Sequence, residues 1–222
     1  MWRAGAGRPG PSAREWKALS QPERDRALRF RFDRDRVRFV RSHAALREIL
    51  SRYLEVPPGE IRFTEGERGK PSIEPPNRLA FNLSHAGDFA LIAVATDRAV
   101  GVDVELVRPG IDFAGMAERV LTPGEREDLS RLDPAARLPA FFAGWARKEA
   151  LVKAFGLGVS FPLERIEVSL DPEETAPLRW VQDAPPGGPW EIRTVEVGEG
   201  YAAAVAASGW DWGVRCRRYP AG

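Results

Sequence analysis

Cysteine, histidine and lysine are scarce in this 222-residue chain, and each scarcity removes a class of function. Cys216 is the only cysteine, which excludes an internal disulfide and a cysteine-built metal cluster. His43 and His85 are the only histidines, so a metal site made mainly of imidazoles is excluded as well. No apolar run approaches the roughly 20 residues that span a bilayer. The opening stretch MWRAGAGRPGPSAREW lacks the apolar middle of a signal peptide. Formal net charge is only +1, so no global field steers the chain toward nucleic acid or membrane. The expectation is a soluble cytoplasmic protein without nucleic-acid or membrane partners, and the 43% hydrophobic content suffices for a full core.

Lysine is the most informative shortage. Lys and Arg total 33, yet only Lys17, Lys70, Lys148 and Lys153 are lysines. Three of the four fall in segments that carry candidate chemistry. There a compact, rotatable ammonium replaces the planar fork used elsewhere. Arginine crowds the stretch from Glu23 to Arg47, where nine face four acids. That pattern reads as a solvated helix face, with one or two side chains able to meet a polyanion.

Residues 2–5 read as a short edge strand and 6–13 as a Gly/Pro-rich loop. Pro22 to Leu54 reads as helical, with Leu46, Ile49, Leu50, Tyr53 and Leu54 at amphipathic spacing, stopped by Pro57-Pro58-Gly59. Segment 61–73 reads as two short strands around a turn, and 79–106 as two or three strands. A boundary is expected at 107–111. Beyond it, Thr122, Pro123 and Glu125 form a capping box, and Asp133-Pro134 opens a helix closed by Gly156 and Gly158. Strands are expected near 161–170, 177–181, 190–197 and 200–207, with PPGGP (185–189) as a turn. Helix followed by strands, twice over, predicts an α+β protein of two halves with similar layout.

Two segments carry most of the chemistry. In GVDVE (101–105), strand alternation puts Asp103 and Glu105 on one face and Val102, Val104 and Leu106 on the other. Gly101 shares the acidic face and leaves one end of it open to a close approach. A half-exposed sheet would show the same alternation. In WARKEALVKAFG (145–156), Phe141, Trp145, Val152 and Phe155 make an apolar stripe, and Lys148 sits in its gap. Such a lysine either snorkels or reaches an anion. Glu149 and Lys153, four apart, share a helix face, as a surface pair also would. Three carboxylates and an ammonium suit a hard divalent cation with a phosphate. FNLSHAG (81–87), if extended, turns Asn82 and Ser84 to one side and His85 to the other. Adjacent Ser84 and His85 are wrongly placed for a nucleophile pair within one strand; the readings are a structural histidine or an imidazole that binds a phosphate with the Ser84 hydroxyl. ERGKP (67–71) is a polar turn carrying Lys70.

Taken in order, GKP, FNLSH, GVDVE and WARKEALVKAFGLG resemble the surfactin-type 4′-phosphopantetheinyl transferases, and LSQPERDRALRF and RSHAALREILSRYL resemble that family's N-terminal half. The resemblance spans roughly residues 15–170. It implies a monomer of two α+β subdomains, 1–108 and 109–222, related by a pseudo-twofold axis with coenzyme A in the cleft between them. It also implies transfer of the 4′-phosphopantetheine arm of coenzyme A to a serine of an apo acyl or peptidyl carrier protein, releasing adenosine 3′,5′-bisphosphate. By matching motifs, Asp103, Glu105 and Glu149 would hold Mg²⁺ and Lys153 would lie on the phosphates. Lys70, Ser84 and His85, with Arg38, would take the nucleotide and its 3′-phosphate. Lys148 and Trp145 match the family's WxxKE pattern and would support the coenzyme A site. Glu149 is the candidate base for the carrier serine, directly or through a water. Rival readings are a catalytically idle relative that binds coenzyme A or a carrier, and another Mg²⁺-dependent enzyme of pyrophosphate cleavage.

Overall fold

Capping residues set the helix starts. The computed structural model describes the chain except residues 6–9, 67, 157, 159–160, 173–178, 181–187 and 220–222. Short helices α1 (Ala13–Ala18) and α2 (Gln21–Leu28) open where Glu15 and Glu23 accept the backbone N–H groups of Ser12 and Ser20. The long α3 (Asp33–Leu54) follows. The continuous helix expected from Pro22 is therefore broken at 29–32. There the chain turns back and lets the Phe30 ring meet Phe39 at 5.3 Å, a contact one straight helix forbids. In the second half, α4 (Phe113–Val120) precedes α5 (Pro123–Arg131), whose Thr122/Glu125 capping box is as expected. Asp133 caps α6 (Pro134–Phe155), and Gly156 ends it at φ +70°.

The strands form two main sheets. In the first, β1 (Trp2–Gly5), β5 (Phe89–Thr96) and β4 (Leu79–Ala86) are antiparallel neighbours. β1 is not an edge strand: β11 (Arg217–Arg218) returns to lie parallel to it. The Tyr219 hydroxyl then donates to Glu48 of α3 at 2.6 Å. In the second sheet, β10 (Tyr201–Ser208) lies between β6 (Val100–Leu106) and β9 (Trp190–Thr194). β2 (Arg62–Glu65) pairs with β3 (Pro71–Glu74), and β7 (Ile166–Glu167) with β8 (Arg179–Trp180). The chain passes from one sheet to the other between β5 and β6, ahead of the expected boundary at 107–111, and β11 crosses back. Part of the expected PPGGP turn, and of the strand expected at 177–181, lies outside the described residues.

The α+β class holds, and each half sets one 22-residue helix against one sheet. Leu46, Ile49 and Leu50 of α3 pack on Phe81 and Ile92. Ala150, Leu151 and Ala154 of α6 pack on Ile192, Ala204 and Ala206. Leu91, Val102 and Val205 form a third cluster that joins strands of both sheets. Among the described residues no helix is long and apolar enough to cross a membrane.

What approaches Gly101 closely is α6 itself. A Cβ there would stand 2.1 Å from the Ala150 carbonyl oxygen and 2.3 Å from the Ala154 nitrogen. Neither backbone atom can yield. Gly101→Ala should therefore cost about 3 kcal/mol, the upper end of overpacking penalties, or prevent folding. Urea denaturation checks this, and a loss below about 1 kcal/mol would refute so tight a crossing.

His43 supplies a pH test. Its ring stacks on Phe39 with centroids 3.9 Å apart, and burial holds its pKa down at about 4. The folded ring stays neutral while the unfolded ring takes a proton below about pH 6.5. Stability is thus fully present above pH 6.5 and drains as pH falls toward 4. A His43→Phe variant should lose less stability than the parent between pH 7 and 4.5. Equal losses in paired urea melts would show that His43 does not titrate in this way.

Candidate functional site at the seam of the two sheets

The site lies where β4 and β6 run side by side without sharing a ladder. Side chains bridge the gap. Asn82 accepts the Val102 N–H at 2.8 Å, taking the place of a missing rung. One step along, the Ser84 hydroxyl donates to Asp103 Oδ1 at 2.8 Å. Strand alternation aims Asp103 away from the valine cluster and toward α6, where it is only 2% exposed. Its charge is met by Lys153, whose ammonium lies 2.5 Å from Oδ1 and donates to Ser84 Oγ at 3.1 Å. The other oxygen, Asp103 Oδ2, is buried and has no hydrogen-bond partner among the described residues.

Glu105 and Glu149 border this network. Burial and the Asp103 charge push the Glu105 carboxyl up to about 7. The same two causes raise Glu149, opposed by Lys153 and the neighbouring Trp145 indole. The mutual repulsion places the three carboxylates in one field, relieved in part by a single ammonium. Lys153 spans to Asp103 rather than forming the i,i+4 surface pair with Glu149. As placed, no three acidic, His or Cys side chains among the described residues are gathered closely enough to hold a metal ion.

The remaining expected residues divide. Arg38 and His85 come together: burial lowers the His85 pKa, and the Lys153 and Arg38 charges lower it further. Arg38 also lies 3.8 Å from Asp88 in the β4–β5 turn. Lys70 is engaged elsewhere. Its ammonium donates to the Val100 and Ala154 carbonyls at 3.1 and 2.9 Å, strapping the β2–β3 turn across the α6–β6 crossing. Burial depresses its pKa to about 8. It lines a cavity of about 560 Å³ with Arg68, Phe81, Phe155 and Gly156.

Lys148 neither snorkels nor reaches the seam. It is 0% exposed and spends its three N–H donors on Glu125 Oε2 (2.5 Å), Val120 O (2.7 Å) and Leu163 O (3.2 Å). Glu125, identified from the sequence only as a helix cap, is the residue that was missed. Its carboxylate also accepts the Thr122 and Val168 N–H groups. Desolvation raises Glu125 and lowers Lys148, and each charge holds the other against that drift. Trp145 packs edge-on to Phe141 at 5.5 Å. Together these contacts fix the turn of α6 that carries Glu149. Lys148→Met should cost about 3–5 kcal/mol, because it strands a buried carboxylate. Adding Glu125→Gln should recover part of the loss in urea denaturation. No recovery would show that the pair contributes through packing alone.

Comparison with known proteins agrees with these motifs. Residues 99–206 match the family model described as "4′-phosphopantetheinyl transferase superfamily". Residues 10–97 match "4′-phosphopantetheinyl transferase, N-terminal". The 4′-phosphopantetheinyl transferase HetI of a Nostoc species is 38% identical over 216 residues, covering 96% of this chain and 88% of that protein. A 4′-phosphopantetheinyl transferase of Bacillus subtilis is 30% identical over 95% of this chain and 92% of its own length. A Bacillus anthracis holo-(acyl-carrier-protein) synthase, solved in complex with CoA (3′,5′-ADP), aligns with TM-score 0.42 and 22% identity. That alignment covers 50% of this chain and 96% of the synthase. With both halves matched and a near-full-length relative at 38% identity, this chain belongs to the 4′-phosphopantetheinyl transferase superfamily.

Proposed function

We propose that this protein transfers the 4′-phosphopantetheine arm of coenzyme A to a serine of an apo acyl or peptidyl carrier protein, releasing adenosine 3′,5′-bisphosphate. It would act as a cytoplasmic monomer, with coenzyme A between the two halves. The observation that carries this reading is the buried Ser84–Asp103–Lys153 network at the seam, which holds an unpartnered carboxylate oxygen. Family membership narrows the chemistry of such a site to phosphopantetheinyl transfer.

The donor set fits Mg²⁺: it is all oxygen, Asp103 Oδ2 lacks a partner, and the raised Glu105 and Glu149 carboxyls would be relieved by a cation. Asp103, Glu105 and Glu149 would hold the ion. When bound, it would neutralise charge on the pyrophosphate. Lys153 is only part-buried at 29% exposure and can swing its ammonium from Asp103 to a phosphate oxygen, stabilising the leaving bisphosphate. Arg38 supplies a cation and His85 an imidazole N–H at a corner suited to the 3′-phosphate, and the Lys70 cavity suits the nucleotide. Glu149, with its proton affinity raised by burial, would accept the proton of the carrier serine, directly or through a water. Lys148 and Trp145 would act as positioning residues for Glu149.

Intact-mass spectrometry tests the reading on a panel of fatty-acid, polyketide and peptide-synthetase apo carriers mixed with coenzyme A and Mg²⁺. A carrier should gain the mass of one phosphopantetheine arm, and Asp103→Ala should abolish the gain. Glu149→Gln should slow transfer by about 100-fold or more while leaving coenzyme A binding largely intact. No gain on any carrier, with coenzyme A still bound, would favour an idle binder. Loss of binding in Glu149→Gln would move that residue from proton transfer to ligand binding.

A further inference from the structure

The two main sheets carry a second concavity on the face turned away from Asp103. It has a volume of about 540 Å³, within the usual range for small-molecule sites. Its floor is alanine and valine of β5, β6 and β10, part of the cluster that includes Val100, Val205 and Ala207. The 212–217 segment walls one side. Around the rim stand Arg98, Arg215 and Arg217, with Tyr53, Trp212 and the nearly buried Trp2, and among the described residues no carboxylate lines the cavity.

Some arginines elsewhere, such as Arg14, Arg47, Arg78 and Arg131, are paired with carboxylates. Among the described residues, none of the three rim arginines forms an ion pair. Arg98 donates only to the Ser208 carbonyl at a long 3.3 Å, and Arg217 rests over the Trp2 ring at 5.5 Å. A guanidinium stacked on an indole keeps its edge donors available for a carboxylate or phosphate, which it grips through two parallel bonds. The Trp212 indole N–H is buried without an acceptor among the described residues, and Arg193 lies over one part of that ring at 4.5 Å. A buried donor without an acceptor is costly until something supplies one. Flat aromatic walls, a shallow apolar floor and uncompensated guanidinium groups define the complement: a planar ring joined to an anion.

We propose that this cavity is a second binding site, separate from the seam, for a small molecule that joins a flat aromatic ring to a carboxylate or phosphate group. The site does not depend on the transfer reaction. It lies on the valine face of β6, whereas Asp103 and Glu105 project from the opposite face toward α6.

The test uses the whole ¹⁵N-labelled chain and reads the indole N–H resonance that disappears in Trp212→Phe. 1-Naphthyl phosphate and 2-naphthoate are titrated separately, with 2-naphthol and inorganic phosphate as probes lacking one half of the chemistry. The Trp212 resonance should move saturably with at least one ring–anion probe, and the stronger of the two assigns the anion. It should not move with 2-naphthol or inorganic phosphate at the same concentration. Arg98→Gln combined with Arg215→Gln should weaken binding at least tenfold, while Asp103→Ala and saturating coenzyme A should leave it unchanged. No movement, equal movement with 2-naphthol, indifference to the double arginine change, or competition by coenzyme A would each overturn the proposal.

Discussion

The crossing of α6 over β6 at Gly101 sets the geometry on which the rest depends. Contact this close lets helix backbone rest on strand backbone, with no side chain between. Once they touch there, the acidic face of β6 is roofed by the helix, Asp103 becomes a buried carboxylate, and Lys153 falls within reach of it. Lys70 reinforces the same crossing from outside by clasping one carbonyl from each element. An ammonium between two carbonyls, with no carboxylate bonded to it among the described residues, is held by geometry rather than by charge pairing.

Two lysines of α6 show how one helix serves two purposes. Lys148 and Lys153 are five residues apart and so project in different directions. Lys148 turns into the C-terminal half and is fully enclosed, binding α5, the end of α4 and the turn before β7 into one unit. Lys153 turns to the seam, where part of its side chain remains open to solvent. The first is immobilised by three acceptors. The second keeps the freedom that a residue handling an incoming phosphate requires.

What the sequence disclosed, and what it did not, follows the range of each interaction. The alternation in GVDVE assigns the two faces of β6 correctly, since side-chain direction on a strand is local. That same alternation is equally compatible with a water-exposed face, because nothing in five residues says what will cover them. The gap in the α6 stripe correctly marks Lys148 as unusual. Its partner, however, lies 23 residues away and carries a complete local explanation as the N3 residue of a capping box. Glu125 therefore hid behind its simpler role. β1 looked like an edge strand because its second neighbour is contributed from the far end of the chain. The corner at 29–32 was likewise settled by a tertiary contact, Phe30 on Phe39, with no breaker residue to announce it. Ordered motifs exposed the transferase family where single motifs would not have, since each alone has an ordinary structural explanation.

The return of β11 to β1 bears on how this chain is built in time. The first sheet includes residues 2–5 yet gains its outermost strand only from residues 217–218, and the hydrogen bond that Tyr219 donates to α3 lies beyond that strand. During synthesis, everything between these two strands must leave the ribosome before β1 acquires its second neighbour. Contacts of such wide sequence separation slow folding and leave an open strand edge exposed in the interim. Until β11 arrives, the open edge of β1 is free to mispair.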